Sequence, residues 1–513
     1  MKFKVLFISI ILGFLATNFY HAQTVCTWTG TTDTDWDKNA NWTTTVGGAP
    51  AASAKPTNLS DVIIPDVSAG SGNDPSISTS SSSASLTINT GGSLTISLFS
   101  TVLDVGGNID IDGTLTLSKG TIQCGGNWDD TDGTFTHINF GTVNFDGTGT
   151  HTINCKAGND FRIVTIDAGI YSALSNIIVD FSIDIKNGAS YDPGGFTTQV
   201  LSGATANIIS GGTLNFSDPS GIFDAIDVFD ADDGANITFA ANGRLKLAGA
   251  SPRLGRINGA EFTSSEGTVE YDLSGGGSAQ TIYDIPYFNL VINGTDVNDI
   301  KTANFNLDID GTLTITNGNL TLNNIDLDLE GDFTMAAGSF APGNSAANNV
   351  AGIWNETGGL FQPAAGTFTF SGTGGKTIFQ NAGNFFNDLT VASGGTDKIS
   401  ANSAISVGGV FTNTNGTFDT EGNTVTVTGA TNIDGGILEI AAGTFDANDF
   451  DANGATVTFT DAGILKLGGG TVDLGTLDAT TNDGTVEYDF NGCLLYTSPS
   501  PRDAHESRMP SSA

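Results

Sequence analysis

The sequence predicts an all-β protein, folded as a parallel β-solenoid (β-helix) of stacked short strands. Apolar residues alternate with Thr, Ser, Asn or Asp in runs such as SLTINTGGSLTIS from Ser85 and NTVTVTGATNI from Asn423, which is strand periodicity. Glycine contributes 68 residues, about twice its usual ~7% share, and it supplies the tight corners that stacked coils need. Related phrases also recur along the chain, which indicates a repeat architecture.

A string of tandem small β-sandwiches is the alternative architecture. The phrases that begin at Gly141, Gly267, Gly366 and Gly484 are 126, 99 and 118 residues apart, and a unit of that length is also the size of one sandwich domain. Short strands and frequent single-glycine corners favour the solenoid, because sandwich strands are usually longer and each sandwich needs its own large inward-facing residues.

The repeats are clearest in the phrase GTVEYD, which occurs at 267–272 and at 484–489. FDAIDVFDADDGANITFAANGRLKLAG precedes the first copy from Phe223, and FDANDFDANGATVTFTDAGILKLGG precedes the second from Phe445. Arrays of this kind bury a core by stacking neighbouring units, and they display a long surface rather than one catalytic pocket. The duplication therefore bears on function as well as on fold.

The first 22 residues have the pattern of a secretory signal peptide. Lys2 and Lys4 precede an apolar run from Val5 to Ala16, which is shorter than the ~20 residues that a membrane-spanning helix needs. A membrane anchor is the alternative. The sequence predicts cleavage after Ala22, no transmembrane anchor, and a secreted location, either extracellular or on the outer cell surface.

Residues 23–75 form a tryptophan-rich segment containing Trp28, Trp36 and Trp42. Aromatic rings exposed on a flat face can stack on sugars, so these three residues are a candidate carbohydrate platform. The alternative, which the sequence favours, is a cap in which the rings cover the apolar end of a stack of coils.

The same segment resembles a known family. Its order W-T-G, D-W, N-W and then the run DVIIP from Asp61 is similar to the opening of large secreted β-helical repeat proteins of Bacteroidota. Many of those proteins are adhesin-like and end in a sorting domain for type IX secretion. The resemblance covers residues 26 to about 75 closely and the repeats to Gly492 more loosely. It implies an architecture and an export route rather than an activity.

Acidic pairs near turns are candidate calcium ligands. Carboxylates two residues apart beside Gly or Asn can supply several of the six to eight oxygen atoms that calcium takes. Turn formation is the alternative, and it is favoured at any one pair because Asp and Asn side chains bond their own backbone. None of the pairs belongs to a twelve-residue EF-hand loop or to a tandem calcium-binding nonapeptide. The candidate ligands are Asp33 and Asp35, Asp230 and Asp232, and Asp449 and Asp451.

A polysaccharide lyase or a glycoside hydrolase is the alternative functional class. A hydrolase needs two carboxylates in one cleft, and a lyase needs a base with cations or calcium to neutralise a uronate. The one basic cluster, GRLKLAGASPRLGR, includes Arg253 and Arg256, but only Lys466 corresponds to it in the second copy. The chain has no nucleophile elbow, HExxH or phosphate loop. The sequence therefore predicts that the protein is not an enzyme.

Composition narrows the expected partners. The chain has 18 Lys and Arg against 55 Asp and Glu, a net charge of -37. Such a charge repels nucleic acid and anionic lipid and attracts divalent cations. We expect no nucleic-acid partner, and we expect extracellular glycans or the surfaces of host or neighbouring cells instead.

Three cysteines lie in the body of the chain, Cys26, Cys124 and Cys155. This odd number allows one disulfide at most and leaves a free thiol. Cys124 with Cys155 is the favoured pair, because a sequence separation of 31 residues can place both on neighbouring coils.

The last residues, 493–513, interrupt the pattern with CLLYTSPSPRDAHESRMPSSA. This tail resembles translated sequencing-adapter read-through, and we expect it to be artefactual and the natural protein to continue beyond Gly492. The expected organisation is a signal peptide (1–22), a Trp-rich cap (23–75), a solenoid array (76–492) and the tail.

The predicted function is that of a secreted, structural or adhesin-like surface protein that displays an extended acidic binding surface. A carbohydrate-binding or polysaccharide-degrading β-helix is the alternative.

Overall fold

The computed structural model describes residues 23–239, 242–254, 266–275, 277–296, 298–345, 347–395, 397–478 and 484–489. The predicted signal peptide and tail lie outside these ranges. The chain divides into two compact units, with the boundary between Ile178 and Val179. Apart from two 3-10 helices, Asn39–Asn41 and Ser68–Gly70, the regular structure of the described residues is β.

The first unit is built from short strands. They are β1 (Thr24–Trp28), β2 (Trp42–Val46), β3 (Ala49–Ala51), β4 (Ser60–Ile64), β5 (Ser76–Ile77), β6 (Ser81–Ser83), β7 (Ser85–Ile88), β8 (Ser93–Ile96), β9 (Val102–Val105), β10 (Ile109–Ile111), β11 (Thr114–Leu117), β12 (Thr121–Cys124), β13 (Trp128–Asp129), β14 (Thr134–His137), β15 (Thr142–Phe145), β16 (Thr150–Asn154), β17 (Phe161–Ile166) and β18 (Ile170–Ala173). The unit boundary falls within β19 (Ile177–Ile185).

These strands stack as three sheets, and each coil contributes one strand to each sheet along most of the unit. Sheet S1 has the order β3-β2-β1-β4-β7-β10-β13-β16-β18, S2 has β5-β8-β11-β14, and S3 has β6-β9-β12-β15-β17. The ladders are parallel and in register, except that β1 with β2 and β2 with β3 are antiparallel at the first edge of S1. The first unit is therefore a parallel β-solenoid.

Alternation in the sequence determines which side chains enter the core of the first unit. In β7 and β8, which share the sequence SLTI, the Leu and Ile side chains are buried and the Ser and Thr side chains lie on the outer face. Parallel register then places Leu86 beside Ile109 and Leu94 beside Leu115 on the next coil. Each fully buried aliphatic side chain stabilises the fold by about 1.5–3 kcal/mol.

The second unit continues with strands of similar length. They are β20 (Ser190–Asp192), β21 (Thr197–Val200), β22 (Thr205–Ile208), β23 (Thr213–Phe216), β24 (Ile222–Ala225), β25 (Val228–Ala231), β26 (Asn236–Phe239), β27 (Arg244–Leu247), β28 (Thr268–Tyr271), β29 (Ala279–Thr281), β30 (Asn289–Ile292), β31 (Ile300–Ala303), β32 (Leu307–Ile309), β33 (Leu313–Ile315), β34 (Asn319–Leu322), β35 (Leu327–Leu329), β36 (Phe333–Met335), β37 (Ser339–Ala341), β38 (Asn348–Val350), β39 (Trp354–Glu356), β40 (Leu360–Phe361), β41 (Thr367–Phe370), β42 (Lys376–Phe379), β43 (Asp388–Ala392), β44 (Lys398–Ala401), β45 (Ile405–Val407), β46 (Phe411–Asn415), β47 (Thr417–Asp419), β48 (Thr424–Ile433), β49 (Ile437–Ile440), β50 (Thr444–Asp451), β51 (Thr456–Phe459), β52 (Ile464–Leu467), β53 (Val472–Asp473), β54 (Thr476–Asp478) and β55 (Thr485–Tyr488).

The sheets of the second unit are also parallel. S4 is β20-β23-β26. S5 follows β21-β24-β27-β28-β30-β33-β36-β39-β42-β44-β47-β49-β51-β54, with β19-β22-β25 as a parallel ladder beside its first strands. S6 is β29-β31-β34-β37-β40, and S7 runs β32-β35-β38-β41-β43-β46-β48-β50-β52-β55. Both units thus confirm the predicted parallel β-solenoid.

Glycine is required where corners of successive coils approach closely. A Cβ atom built on Gly331 would lie 1.9 Å from the carbonyl oxygen of Gly311, and one built on Gly352 would lie 2.0 Å from that of Gly331. Any side chain at Gly331 would therefore push neighbouring coils apart. This column explains part of the glycine enrichment of the sequence.

Candidate functional site

The first GTVEYD copy forms part of a charged ladder on the outer face of S5. Parallel register places Asp224, Lys246 and Glu270 beside one another on β24, β27 and β28. The Nζ atom of Lys246 lies 2.9 Å from Oδ2 of Asp272 and 3.5 Å from Oδ2 of Asp224. Lys246 thus pairs with one carboxylate on the coil before it and one on the coil after it.

The second copy builds the same ladder. Asp446, Lys466 and Glu487 align on β50, β52 and β55, and the Nζ atom of Lys466 lies 2.9 Å from Asp489 and 3.5 Å from Asp446. This ladder lies on S7, whereas the first lies on S5. The duplicated phrase therefore repeats a local contact between coils on two different sheets.

The two ladders differ in burial. The side chains of Asp224 and Asp272 are 13% and 17% exposed, whereas those of Asp446 and Asp489 are 35% and 46% exposed. Burial also raises the pKa of Asp272, although the bond from Lys246 opposes the shift. The first ladder therefore holds its charges in the less solvated environment.

Neighbouring side chains complete the neutralisation of the first ladder. Arg244 donates to Oε2 of Glu270 at 2.9 Å, and Asn293 donates to Oε1 of the same residue at 2.8 Å. Burial lowers the pKa of Lys246, but the hydrogen bond and charge of Asp272 outweigh it and raise that pKa above its ordinary value. The carboxylates of this ladder are held as ion-pair partners of cations, an arrangement that aligns neighbouring strands.

A third bridge joins three successive strands of S5. The Nζ atom of Lys398 on β44 lies 2.8 Å from Oδ2 of Asp419 on β47 and 2.9 Å from Oε2 of Glu439 on β49. Sequence reasoning did not predict these bridges. A lysine occupies the same position in both copies of the repeat, as Lys246 in the first and Lys466 in the second. This shared lysine is the signal in the sequence that could have revealed the bridges made by these two residues.

The candidate carbohydrate platform, which the sequence favoured less than a cap, is wrong, because Trp28, Trp36 and Trp42 are buried, with 1%, 2% and 1% of their surfaces exposed. Trp42 packs edge-on against the other two, at centroid distances of 4.9 and 4.7 Å. The indole of Trp28 donates to the carbonyl of Asn73 at 2.7 Å, and that of Trp42 donates to the carbonyl of Trp36 at 2.8 Å. The rings form an apolar cluster beside the first edge of S1 and offer no face to a sugar.

The acidic pair Asp33 and Asp35 holds a turn together. Asp33 accepts from Nζ of Lys38 at 2.7 Å, from Nδ2 of Asn41 at 2.8 Å and from the backbone of Asp35 at 3.1 Å. The bonds from Lys38 and Asn41 lower the pKa of Asp33 to about 2. Asp35 in turn accepts the backbone N–H of Asp37 at 3.0 Å. Turn formation, the alternative weighed for this pair, describes these contacts.

The other acidic pairs are also engaged in local contacts. Asp230 forms an ion pair with Arg253 at 3.0 Å, Asp449 accepts the backbone N–H of Thr471 at 3.1 Å, and Asp451 accepts that of Asn453 at 3.0 Å. Within the described ranges, none of the candidate calcium ligands, Asp232 included, belongs to a group of three or more His, Cys, Asp or Glu side chains positioned to share one ion. Arg256, the second cation of the basic cluster, lies outside those ranges.

The predicted disulfide is absent from the structure, where Cys26, Cys124 and Cys155 are buried free thiols. Cys124 ends β12 in S3, and its Sγ atom lies 3.5 Å from the carbonyl oxygen of Gly126. Cys155 directly follows β16 in S1, so the two thiols belong to different faces of the coil. Burial raises the pKa of Cys124 to about 12 and that of Cys155 well above its ordinary value, which keeps both protonated and unreactive.

Fold and surface together define the class of this protein as a parallel β-solenoid repeat protein. Comparison of the chain with protein-family models, curated proteins and solved structures finds no match in any of the three. In the described part of the chain, no helix has the length and apolar character needed to cross a membrane.

Proposed function

We propose that this protein is a secreted, adhesin-like surface protein whose stacked coils display a polar face to extracellular glycans or neighbouring cells. The observation that carries the proposal is the charged ladder, which the duplicated phrase builds twice with the same pair of distances, 2.9 and 3.5 Å. A feature that recurs along a solenoid supports an extended frame for display.

The state of the carboxylates supports display over catalysis. A glycosidase needs one carboxylic acid and one carboxylate, both free to act on the substrate. In the ladders, Lys246 and Lys466 each hold two carboxylates within 3.5 Å, and Arg253 is paired with Asp230. The proposal therefore assigns these groups to the stability of the frame. Export through the type IX route, implied by the resemblance of residues 26 to about 75, belongs to the same proposal.

Adhesion of beads coated with the purified full-length chain tests the proposal. We expect folded protein to retain beads on cell layers and on surfaces coated with extracellular polysaccharide, and protein unfolded by heat to lose that retention. Equal retention by folded, unfolded and uncoated beads would contradict the proposal.

A reducing-sugar assay and a uronate-absorbance assay on the same polysaccharides test the alternative. We expect neither assay to detect product. Product that disappears in Asp272→Asn would favour a polysaccharide-degrading enzyme.

A further inference from the structure

A groove of about 610 Å³ lies on the second unit where sheet S6 ends. We call it the S6 groove. Its walls come from β34, β37 and β40 and from the corners that follow them, and they include Leu322, Leu360, Phe361 and Phe385. It is separate from the charged ladders, because none of the ladder residues lines it.

The groove exists because S6 stops. β40 is the last strand of S6 in the described ranges, and the next coil passes this position as the segment 380–387, which contains no strand. The side chains of Asn381 and Asn384 donate to the carbonyl oxygen of Gly359, at 3.0 and 3.4 Å. Amide side chains thus cover the edge of the sheet just before β40.

A buried carboxylate fixes this segment in place. Oε2 of Glu356 accepts the backbone N–H of Asn381 at 3.1 Å and Nδ2 of Asn384 at 2.7 Å, while Oε1 accepts the indole N–H of Trp354 at 2.6 Å. Glu356 and Trp354 are fully buried. Phe385, the residue after Asn384, is therefore held at the groove wall before any ligand arrives.

The lining combines apolar faces with amides. Leu360 and Phe385 are 48% and 44% exposed, and Phe361 lies buried behind them. Asn323 and Gln362 stand exposed at the polar side of the groove. Aromatic and aliphatic faces accept the C–H surfaces of a sugar ring, and amides both donate to and accept from hydroxyl groups.

The two asparagines of the groove lining, Asn323 and Asn324, are bonded to the neighbouring coils. Nδ2 of Asn323 donates to Oδ1 of Asn304 at 2.6 Å, and Oδ1 of Asn324 accepts the backbone N–H of Asn344 at 2.9 Å. Coils stack about 4.8 Å apart, which is close to the advance per sugar of an extended hexose chain. The groove lining comes from three successive coils, those of β34, β37 and β40, so it repeats at a spacing that suits successive sugars.

The uncharged lining of the S6 groove distinguishes neutral ligands from charged ones. Although the sequence contains 55 Asp and Glu, no charged residue lines the S6 groove in the part of the chain that the structure describes. An anionic sugar would find no cation there, and a cationic ligand no carboxylate. An added peptide strand would need the backbone edge that Asn381 and Asn384 already cover in part.

We infer that the S6 groove binds a neutral glycan, an extended chain of uncharged hexoses, with Phe385 as the stacking residue and with Asn323 and Gln362 as hydrogen-bonding residues. This inference supplies a ligand class for the proposed adhesin-like function, and it rests on that function for its biological setting.

Calorimetric titration of the full-length chain tests the inference, with cellohexaose and mannohexaose as neutral probes and hexagalacturonate as the anionic probe. We expect at least one neutral hexamer to bind and hexagalacturonate not to bind. Phe385→Ala is expected to weaken binding at least tenfold, and Gln362→Ala severalfold. Phe99→Ala is the matched control, because Phe99 is an exposed aromatic residue of the first unit, at 63%, and we expect it to leave binding unchanged.

Three outcomes would overturn the inference: no binding of either neutral hexamer, equal binding by Phe385→Ala and the wild type, or binding of hexagalacturonate with the same dependence on Phe385.

Bead adhesion distinguishes a failure of this inference from a failure of the proposed function. Neutral-glycan binding without adhesion would support the groove and contradict the adhesin-like function. Adhesion that persists in Phe385→Ala, together with unchanged binding, would support the function and overturn the groove.

Discussion

The two bridging lysines show how burial changes the contribution of the same ion-pair contact to stability. Lys246 and Lys466 have the same distances to their partners, but the partners of Lys246 are the more buried. An exposed ion pair contributes roughly 0 to 1 kcal/mol, whereas a buried carboxylate that loses its cation keeps the full cost of its desolvation. The same sequence phrase therefore has unequal effects on stability at its two positions.

Replacing each lysine with methionine tests this difference. We expect Lys246→Met to lower the local free energy of opening by about 1–3 kcal/mol, since Asp224 and Asp272 lose their shared cation. Lys466→Met is the matched control and should cost less, because the carboxylates that Lys466 contacts are more exposed to solvent. Hydrogen exchange of peptides spanning β27 to β28 and β52 to β55 measures both values. Equal losses at the two positions would contradict the burial argument.

Trp28 illustrates a residue whose role depends on its environment. Because its ring is buried against Trp42 and Trp36, we expect Trp28→Ala to destabilise the first unit by about 3–5 kcal/mol. Phe99→Ala, at an exposed position, should cost less than about 1 kcal/mol, including its contact with Lys119 at 4.5 Å. Thermal unfolding followed by circular dichroism compares the two, and a Trp28→Ala protein as stable as the wild type would refute the buried cluster.

Glu356 makes stability depend on pH in an unusual direction. Burial raises its pKa above the ordinary 4.5, although bonds from Asn384, Trp354 and Asn381 oppose the shift. The folded state therefore takes up this proton at higher pH than the unfolded state does, so the contribution of Glu356 to stability increases as pH falls towards 4.5. We compare the unfolding free energy of the wild type with that of Glu356→Gln. The difference, wild type minus variant, is expected to increase as the pH is lowered from 8 to 4.5 and then to level off. Urea titrations at several pH values measure it, and a difference that falls over this range would contradict the assignment.

At the scale of strands and corners, close packing between coils determines which glycine residues can be substituted without loss of stability. A Cβ atom at Gly331 would meet the carbonyl of Gly311, whereas one at Gly470 would meet no atom within 4 Å. We expect Gly331→Ala to cost about 1–3 kcal/mol through overpacking. Gly470→Ala should be neutral or slightly stabilising. Chemical denaturation of both variants measures the contrast, and similar midpoints would show that the corner can expand.

Strand patterns were predictable because alternation is a local property of the sequence. The SLTI runs of β7 and β8 bury their Leu and Ile side chains as alternation requires. The ladders were not predictable in the same way. Asp224 and Lys246 are 22 residues apart and Lys246 and Glu270 are 24 apart, so their pairing depends on the length of each coil, which varying corner loops determine. A sugar platform stayed open as an interpretation of the three Trp residues for a related reason, since residue type alone does not establish which face of a strand or turn is buried.

For the chain as a whole, net charge is the property that the sequence defines directly. A charge of -37 destabilises the compact state through self-repulsion, and added salt screens that repulsion. We expect the melting temperature to rise when NaCl is increased from about 0.01 M to about 0.2 M. A melting temperature that falls would contradict the role of self-repulsion.

Divalent cations extend the same experiment. At matched ionic strength, MgCl₂ and CaCl₂ are expected to act alike if the acidic pairs serve only as turns. A larger rise with CaCl₂, reversed by EGTA, would instead locate calcium on the protein, as the acidic pairs of the sequence predict.

The repeat was visible in the sequence, but the sheets on which its copies lie were not. GTVEYD contributes β28 to S5 and β55 to S7, because the coils between the two copies vary in length and in the number of their strands. Periodicity therefore predicted the class of fold, whereas the face on which each copy lies required the structure.

The matching ladders also bear on how the gene can change in length. A crossover between the two GTVEYD segments would delete 217 residues and place β55 after β27 in the position of β28. Register would survive at the junction, because RLKL pairs with TVEY in the first copy just as ILKL does in the second. A recombination event of this kind would therefore preserve strand pairing at the junction itself, although one copy of the phrase lies on S5 and the other on S7.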